Sequence, residues 1–478
     1  MLQTIIPIKV QYLIFYDYTI YSENKQGFTN ARRLGIMGRK EKPSILLWRD
    51  QMEKYDVIIV GSGPAGMGAA FTIAKERPGL KVLMLDREKA STGGMRNDCK
   101  MNFTYPIGFP TEYWEAADAE RYLDQVIEFL QPSFLAKSNI AIYQKRAERL
   151  GCTLLDIRQT HLGTDGGLRL IKELLVKLEE LGIELALGEA MESIDKKAQF
   201  ITTEKREIGY KKLLVAPGRK GFHFLQDLMH TLSVPFVDNI VDIGLRIETR
   251  IEHYPIVKDY YDPKFYFPDK VRTFCTNSGN AHVVRERYAT NRGDQWHSVN
   301  GHAFSPDKHN DNGLVNFAIL KTVRFTEPLA SGQAFAENLG LQAALMGGGK
   351  PLMQRVGDFR LGSRSKEDSF SGDLYDFEPS LKTCCPGDIS LAIPAKILRS
   401  IWRAMKNLDT IVPGVLHPST IMYYPEIKLY ANKPSYLDEH FRVTEDVWFA
   451  GDGAGTSRGI TGAWASGIRA AEGILENL

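Results

Sequence analysis

The sequence has few cysteines, no long apolar run and almost no net charge. Its 478 residues include five cysteines and no C-x-x-C pair, which argues against a zinc ribbon and a disulfide framework. Five unpaired thiols are typical of a reducing compartment, so we predict a cytoplasmic protein without a metal site. No segment approaches the roughly 20 apolar residues of a membrane span, and we expect none.

The charge balance argues against a polyanionic partner. Sixty basic and 58 acidic residues leave a formal net charge of +2, which gives no electrostatic reason to expect nucleic acid. Hydrophobic residues at 43% and charged residues at 25% are ordinary for a globular protein. The composition therefore favours a small-molecule substrate, with the electron donor or acceptor left open.

The first 52 residues differ from the rest of the chain. They hold a basic patch without helical or strand periodicity, made of Arg32, Arg33, Arg39, Lys40 and Lys42. We predict a poorly ordered N-terminal extension over residues 1–52, in which Met52 could be the true start of the protein. A basic arm that binds a partner is the alternative.

A glycine motif follows the first predicted strand. Residues 57–60 form an apolar run typical of a strand buried on both faces, and Gly61, Gly63 and Gly66 follow in G-x-G-x-x-G spacing. The first glycine permits a tight turn, the second lets a phosphate approach the backbone, and the third lets a helix pack against the sheet. This pattern predicts a dinucleotide site, and a purely structural glycine turn is the alternative.

The residues around the motif strengthen that prediction. Pro64 and Ala65 suit the first turn of a helix whose N-terminus attracts phosphate. A second buried strand, residues 81–85, ends at Asp86, which is placed to accept hydrogen bonds from an adenosine ribose. Arg87 follows as a further candidate contact.

A pair of glycines lies shortly after the second strand. Gly93 and Gly94 let the backbone approach the same ligand, and Arg96 can offer a positive charge to a phosphate or a reactive ring. The alternative is a glycine loop with a surface arginine.

Helical periodicity predicts an inserted layer at residues 112–130 and 132–150 and an amphipathic helix at 167–181. Thr164 or Asp165 is the expected N-cap of that helix. Three short alternating runs then predict an antiparallel meander, at residues 190–194, 198–202 and 207–210.

The chain leaves the nucleotide-binding domain and later returns to it. A buried strand at 213–216 leads through Ala216 to Gly218, where the chain must turn. After a region in which strand-like runs alternate with loops, a strand at 446–450 ends in Gly451-Asp452 and a helix covers 459–478. A carboxylate beside a helix N-terminus suits a flavin better than a nicotinamide.

We therefore predict an α/β protein with a Rossmann-like FAD-binding domain and a mixed α+β substrate domain inserted before the C-terminal strand and helix. The domain has a parallel sheet with a small antiparallel meander. The predicted bounds are 1–52 for the extension, 53–218 for the first part of the FAD-binding domain with a helical insertion at about 111–150, 219–440 for the substrate domain, and 441–478 for the return.

Three segments in this order resemble the sequence marks of the two-dinucleotide-binding-domain flavoproteins, the glutathione reductase-like superfamily. They are Gly-Ser-Gly-Pro-Ala-Gly at 61–66, Val-Ala-Pro-Gly at 215–218 and Trp-Phe-Ala-Gly-Asp at 448–452. The chain is also similar to a bacterial group of FAD-dependent dehydrogenases, through residues 161–165, 261–264, 271–276, 300–302 and 451–460.

The resemblance implies roles for individual residues. The three glycines of the first motif would hold the pyrophosphate, Asp86 the adenosine ribose and Asp452 the ribityl hydroxyls. The backbone from Gly459 through Ile460 and Thr461 would face the flavin ring. Glutamate is common in this family at the position of Asp86, and the shorter side chain must lie closer to the ribose.

Candidates for acid–base chemistry lie in the segments that resemble the dehydrogenase group. They are His302 and Tyr261, with Arg272 and Arg285 as anchors for an acidic substrate. For each of them a loop residue satisfied by backbone or water is the alternative. No second glycine fingerprint follows a strand, so NAD(P)H is expected at most as a transient electron donor.

Two functions remain open at this point. The first is an FAD-dependent oxidoreductase that transfers a hydride between the flavin N5 and a small molecule. The second is a flavoprotein whose FAD is mainly structural and which serves as a binding platform or a tRNA-modifying protein.

Overall fold

Two large β-sheets, one mainly parallel and one mainly antiparallel, organise the chain. The computed structural model describes residues 52–91, 93–290, 292–304, 311–329, 331–371, 375, 377–429 and 432–478, and residues 52–478 belong to one compact unit. The prediction of a poorly ordered extension concerns residues that, apart from Met52, lie outside these ranges.

The helices described here are, in chain order, α1 (Pro64–Glu76), α2 (Gly94–Asn97), α3 (Ala116–Leu130), α4 (Ile140–Glu148), α5 (Gly163–Glu180), α6 (Phe222–Leu232), α7 (Gly332–Met346), α8 (Val356–Arg360), α9 (Ala395–Ile411) and α10 (Ile460–Glu476). Within these ranges no helix has the length and hydrophobicity that crossing a membrane requires.

The strands are β1 (Lys54–Val60), β2 (Val82–Asp86), β3 (Lys100–Asn102), β4 (Thr153–Leu154), β5 (Gln159–His161), β6 (Glu184–Leu187), β7 (Met191–Asp195), β8 (Phe200–Thr203), β9 (Glu207–Val215), β10 (Phe236–Val237), β11 (Ile240–Arg250), β12 (Phe265–Phe267), β13 (Val271–Gly279), β14 (Ala281–Ala289), β15 (Gln295–Ala303), β16 (Leu314–Arg324), β17 (Leu352–Arg355), β18 (Cys385–Pro386), β19 (Ile421–Leu429), β20 (Lys433–Pro434), β21 (Arg442–Thr444) and β22 (Val447–Phe449).

The first sheet has the order β21-β22-β9-β1-β2-β6, with β8 and β7 continuing from β9. Strands β22, β9, β1, β2 and β6 are parallel. The first strand is therefore central, and helices α1 and α10 cover one face of it. This arrangement is the predicted Rossmann-like domain, and it confirms the predicted α/β fold class.

The second sheet has the order β18-β17-β19-β11-β16-β13-β12-β4 and is antiparallel except for the β17–β18 pair. One face of β11 is apolar and packs on α7 and α9, with Val241, Ile243, Leu245 and Ile247 in the core. Polar side chains alternate with them on the other face, which the β14–β15 hairpin covers.

The predicted meander is confirmed. Strands β7, β8 and β9 pair in antiparallel succession. The third strand differs from the prediction because it continues without a break into the parallel core strand, from Glu207 to Val215. Its sequence has no turn residue between residues 210 and 213. A single strand therefore pairs with the antiparallel strand β8 and with the parallel strands β1 and β22.

The prediction of a helix over residues 132–150 is wrong in its first part. Helix α3 ends at Leu130, its C-cap Gln131 has a left-handed backbone with φ +45°, and Pro132 follows. The residue before a proline is disfavoured in the α region, and α4 begins only after Asn139, which is also left-handed. Apolar periodicity alone did not reveal this interruption.

Thr164 and Asp165 are not the N-cap of the next helix. Helix α5 begins at Gly163, directly after β5, and Leu162 occupies the cap position. The Thr164 hydroxyl instead donates to the backbone carbonyl of Asn97. The side chain that looked like a local cap is therefore a long-range contact.

Packing mixes the two halves of the chain more than the domain bounds suggest. Helix α6 lies beyond the predicted boundary at 218, yet its apolar residues pack on the first sheet. Helix α4 lies within the predicted insertion, yet Tyr143 and Ala147 pack in the core of the second sheet, and β4 pairs with β12. The bounds at 218 and 440 stay predictions.

Candidate functional site

The predicted nucleotide-binding loops meet at one edge of the first sheet, because the carboxyl ends of parallel strands lie together. The Gly61 N–H donates to the carbonyl of Leu85 (2.7 Å), and the Ala216 N–H donates to that of Val60 (2.7 Å). A Cβ on Gly453 would lie 2.4 Å from the carbonyl oxygen of Gly218. Ligands of open α/β sheets bind at such an edge.

The glycines of the first motif differ in what surrounds them. Gly61 has φ +106°, and an added Cβ would lie 2.2 Å from the carbonyl oxygen of Ala216. A Cβ on Gly66 would lie 1.9 Å from the carbonyl oxygen of Gly61. A Cβ on Gly63 meets no atom within 4 Å. The first and third glycines are thus required by packing, and the second faces an open space.

Two long helices begin at this edge with glycine caps. Gly63 precedes α1 and Gly459 precedes α10, and neither glycine has a side chain that could accept from the first-turn N–H groups. Gly459, like Gly63, has open space at its Cβ position. First-turn N–H groups without a cap are ready to bind an anion or an electron-rich ring edge.

The second glycine pair lies at the same place. A Cβ on Gly94 would lie 3.8 Å from the side chain of Ile460, and Gly93 faces open space. The predicted contacts at 93–94 and 459–461 are therefore brought together. The buried hydroxyl of Thr461 has no hydrogen-bond partner among the described residues, which leaves a polar group for a bound ligand.

Asp86 is already hydrogen-bonded within the protein. One carboxylate oxygen accepts from the backbone N–H and the hydroxyl of Ser62 (2.7 and 2.8 Å), and the other accepts from the N–H of Glu88 (2.8 Å). The first oxygen thus accepts two hydrogen bonds, whereas the second retains a lone pair with which the carboxylate can also accept from a ribose. Arg87 is exposed and lies 3.7 Å from Glu88, and Arg96 is half-buried in α2.

Asp452 connects the last strand to the last helix. Both of its carboxylate oxygens lie 3.0 Å from the Gly459 N–H, and one accepts from the Ser457 hydroxyl (2.9 Å). Burial raises the pKa of the Asp452 carboxyl, and the nearby guanidinium of Arg219, 4.0 Å away, opposes that shift. The carboxylate therefore orients the start of α10.

We expect Asp452→Ala to lower the free energy of unfolding by about 1 kcal/mol, the usual cost of losing a helix-capping acceptor. Denaturant unfolding of the two proteins measures the difference. Asp452→Asn keeps one acceptor for the Gly459 N–H and should recover part of the loss. Equal stability of all three proteins would contradict the capping role.

His302 lies next to the glycine-pair segment. Its Nδ1 is 3.0 Å from the hydroxyl of Thr164 and 3.3 Å from the carbonyl of Asn97, the last residue of α2. Its ring also meets Phe304 edge-on, with centroids 4.5 Å apart. The structure thus places His302, from the second half of the chain, beside the loop that carries Gly94.

A buried group of ionisable residues lies just beyond that loop, and we call Asp98, Lys100, His161 and Tyr261 the Asp98 cluster. The Asp98 carboxylate lies 2.8 Å from Nε2 of His161 and 3.2 Å from the Lys100 ammonium. The Tyr261 ring stacks on His161 with centroids 5.0 Å apart. Burial raises the pKa of the Tyr261 hydroxyl above its usual range, so the phenol stays protonated at neutral pH.

The predicted anchor residues lie elsewhere on the second sheet and its hairpin. The Arg272 guanidinium donates to the Asp242 carboxylate (2.5 Å) and lies 5.0 Å from the Phe274 ring. Arg285 is exposed on β14. Arg272 is engaged in a structural ion pair, and the contacts described place neither arginine beside His302.

Sequence reasoning missed a buried arginine that fixes the strand carrying His302. Arg246 donates to both oxygens of Glu426 (2.9 Å each), to the carbonyl of Cys275 (2.9 Å) and to Asn300 (3.0 Å). A Cβ on Gly301 would lie 2.5 Å from this guanidinium. The signal in the sequence is the presence of two charged residues, Asp242 and Arg246, in the mainly apolar run 240–247.

Residues 55–232, well under half of the chain, match the family described as pyridine nucleotide-disulphide oxidoreductase. The match covers the first strand, the glycine motif and the meander, and supports a flavin-dependent oxidoreductase. The narrower resemblance to a bacterial dehydrogenase group stays a prediction.

The chain is also similar to an uncharacterised protein of Clostridium beijerinckii, with 24% identity over 466 residues that cover 88% of this chain and 80% of that one. Thiamine thiazole synthase of Candida albicans is 38% identical over 45 residues, 9% of this chain and 13% of the enzyme. An uncharacterised protein of Methanosarcina barkeri is 35% identical over 80 residues, 16% of this chain and 20% of that one.

The chain is also similar to two solved structures. One is p-nitrophenol 4-monooxygenase PnpA from Pseudomonas putida, with 15% identity, a TM-score of 0.36 and coverage of 89% of this chain and 78% of that one. The other is L-proline dehydrogenase from P. horikoshii, with 11% identity, a TM-score of 0.38 and coverage of 89% and 94%. The fold assignment rests on the strand order, not on these scores.

Proposed function

We propose that the protein is an FAD-dependent oxidoreductase that transfers a hydride between the flavin N5 and a small-molecule substrate. The observation that carries this proposal is the shared position of two glycine-capped helix starts, at Gly63 and Gly459, on one edge of a parallel sheet. A dinucleotide with a phosphate end and an electron-rich ring end fits that pair. When bound, the flavin supplies the hydride chemistry.

Each end of the cofactor has its own residues in this proposal. Gly63, Ala65 and Gly66 would bind the pyrophosphate through backbone N–H groups at the start of α1, where Pro64 fixes the first turn, and Asp86 would accept from the adenosine ribose. At the other end, the positive N-terminus of α10 faces the pyrimidine side of the flavin. The residues proposed to line that end are Gly93, Gly94, Arg96, Ala216, Gly218, Gly451, Asp452, Gly459, Ile460 and Thr461.

The Asp98 cluster supplies a proton on the substrate side. Lys100 and His161 hold the Asp98 carboxyl at a pKa below its usual range, against the opposing effect of burial. This fixed negative charge orients His161, on which Tyr261 stacks. A protonated Tyr261 can donate to a carbonyl or imine as the substrate is reduced. NAD(P)H is the proposed transient electron donor.

A purified sample tests the proposal directly. The protein should be yellow or take up added FAD, and the flavin should bleach anaerobically with NADH, NADPH or a member of a metabolite panel and recolour with an acceptor. A colourless protein that takes up no FAD would contradict the proposal. Bleaching by dithionite alone would favour a structural flavin.

We expect Tyr261→Phe to slow flavin turnover by roughly 10²–10⁴-fold, the usual contribution of a positioned general acid, with FAD binding unchanged. Tyr260→Phe is the matched control, because the Tyr260 hydroxyl donates to the Leu155 carbonyl (2.8 Å) and accepts from the Ile157 N–H (3.1 Å). The control should lose stability and keep its turnover. Equal turnover of both variants would show that Tyr261 does not donate a proton in the reaction.

A further inference from the structure

The outer face of α9 is uniformly basic. Lys396, Arg399, Arg403 and Lys406 are exposed at spacings of three, four and three residues, which places them along one side of the helix. No exposed position of α9 is acidic. The half-buried Asp409 is engaged by the backbone, since its carboxylate accepts from the N–H groups of residues 414 and 416.

The positive charge extends beyond the helix onto the adjoining sheet. Burial lowers the pKa of the Lys321 ammonium, and the like charges of Lys396, Lys270 and Arg403 lower it further against the opposing effect of Asp269. Asp269 pairs with Arg403 at 2.8 Å. One carboxylate among these four cations leaves a surplus of positive charge on a protein with almost no net charge.

Beside the basic face lies an open groove of about 600 Å³. The rings of Phe359 and Trp402 meet there with centroids 4.7 Å apart. Arg360, Lys406, Asp409, Leu416 and His417 also line the groove, and burial lowers the pKa of the His417 imidazole. The arginine and the lysine beside aromatic and aliphatic side chains suit the boundary between an anionic headgroup and an acyl chain.

Aliphatic side chains protrude around the same surface. Leu345, Leu361 and Leu391 are 83%, 81% and 65% exposed, three of the four aliphatic residues above 60% in the described ranges. Leu361 follows the groove residue Arg360, and Leu391 lies just before α9. Gln342, one turn before Leu345, donates to the Leu391 carbonyl. Exposed leucines contribute free energy when they enter an apolar interface.

We propose that this surface, the outer face of α9 with the three flanking leucines, docks onto an anionic lipid bilayer. The basic side chains would lie at the headgroups, and the leucines would enter the acyl boundary. Nucleic acid also attracts basic residues, but its phosphate backbone offers no apolar environment in which protruding aliphatic side chains could be buried. The proposal does not depend on the flavin chemistry.

Vesicle flotation of the full-length protein tests the proposal. The protein should float with vesicles of phosphatidylcholine and phosphatidylglycerol in equal parts and should not float with vesicles of phosphatidylcholine alone. It should dissociate from the anionic vesicles as the salt concentration rises. The variant Lys396→Gln/Arg399→Gln/Lys406→Gln should bind roughly a hundredfold more weakly, because each basic residue near an anionic surface contributes about tenfold or somewhat less. Leu361→Ser should weaken binding further.

The control removes the same charge from another exposed helix face. Arg169→Gln/Lys172→Gln/Lys177→Gln lies on α5 and should bind vesicles as the wild type does. Circular dichroism verifies that both variants are folded. Failure to float with anionic vesicles, equal binding of the two triple variants, or binding of an oligonucleotide in place of vesicles would each overturn the proposal.

Discussion

Gly63→Val is expected to give a folded protein that no longer binds FAD. Gly63 has an ordinary φ of −76°, and its Cβ position meets no protein atom within 4 Å. A branched side chain there costs the fold little, yet it occupies the space in which the pyrophosphate must approach the start of α1. Flavin absorbance after incubation with excess FAD measures the loss, and denaturant unfolding of the cofactor-free protein measures the fold.

The variant Gly66→Ala serves to distinguish a loss of FAD binding from a loss of stability. Its added methyl group would lie 1.9 Å from the carbonyl oxygen of Gly61, so helix and turn must move apart. We expect a destabilisation of about 1–3 kcal/mol, typical of overpacking, in the cofactor-free protein itself. A Gly63→Val protein that keeps FAD would show that the phosphate lies elsewhere, and one that unfolds as readily as Gly66→Ala would contradict the open space at Gly63.

Arg246→Met is expected to destabilise the protein by about 3–5 kcal/mol, the usual cost of breaking a buried ion pair from one side. Arg246 and Glu426 are both fully buried. Removing the guanidinium leaves the Glu426 carboxylate with Lys428 (3.0 Å) as its remaining cation, which places the expected loss at the lower end of that range. Asn300 and the carbonyl of Cys275 lose a donor as well.

Arg403→Met is the matched control, because Arg403 also pairs with a carboxylate at 2.8 Å but is 63% exposed. Exposed pairs contribute about 0–1 kcal/mol. Denaturant unfolding of both variants measures the difference. Because β15 carries both Asn300 and His302, the Arg246 variant should also show slower flavin turnover. Similar stabilities of the two variants would contradict the proposed contribution of Arg246 to the stability of the protein.

The strand, turn and helix around the glycine motif were predictable because their signals are local. An apolar run, three glycines and a proline within a few residues restrict the backbone to one arrangement, and β1 and α1 follow it. The returning strand and α10 have the same kind of signal. Local signals placed the end of α3 correctly at Leu130 but failed over residues 132–139, because apolar periodicity predicted a helix there and does not reveal the left-handed backbone of Asn139 after which α4 begins.

The sequence by itself determined the class of fold and the edge of the sheet at which a dinucleotide is expected. The tertiary structure alone decided which distant side chains meet. Arg246 pairs with Glu426 across 180 positions, and Lys100 reaches Asn277 across 177. Such contacts depend on strand register and on how the sheets pack, and neither is encoded within a short window of sequence. The sequence names Tyr261 as an acid–base candidate, but the stacking of its ring on His161 beside Asp98 is visible only in the folded chain.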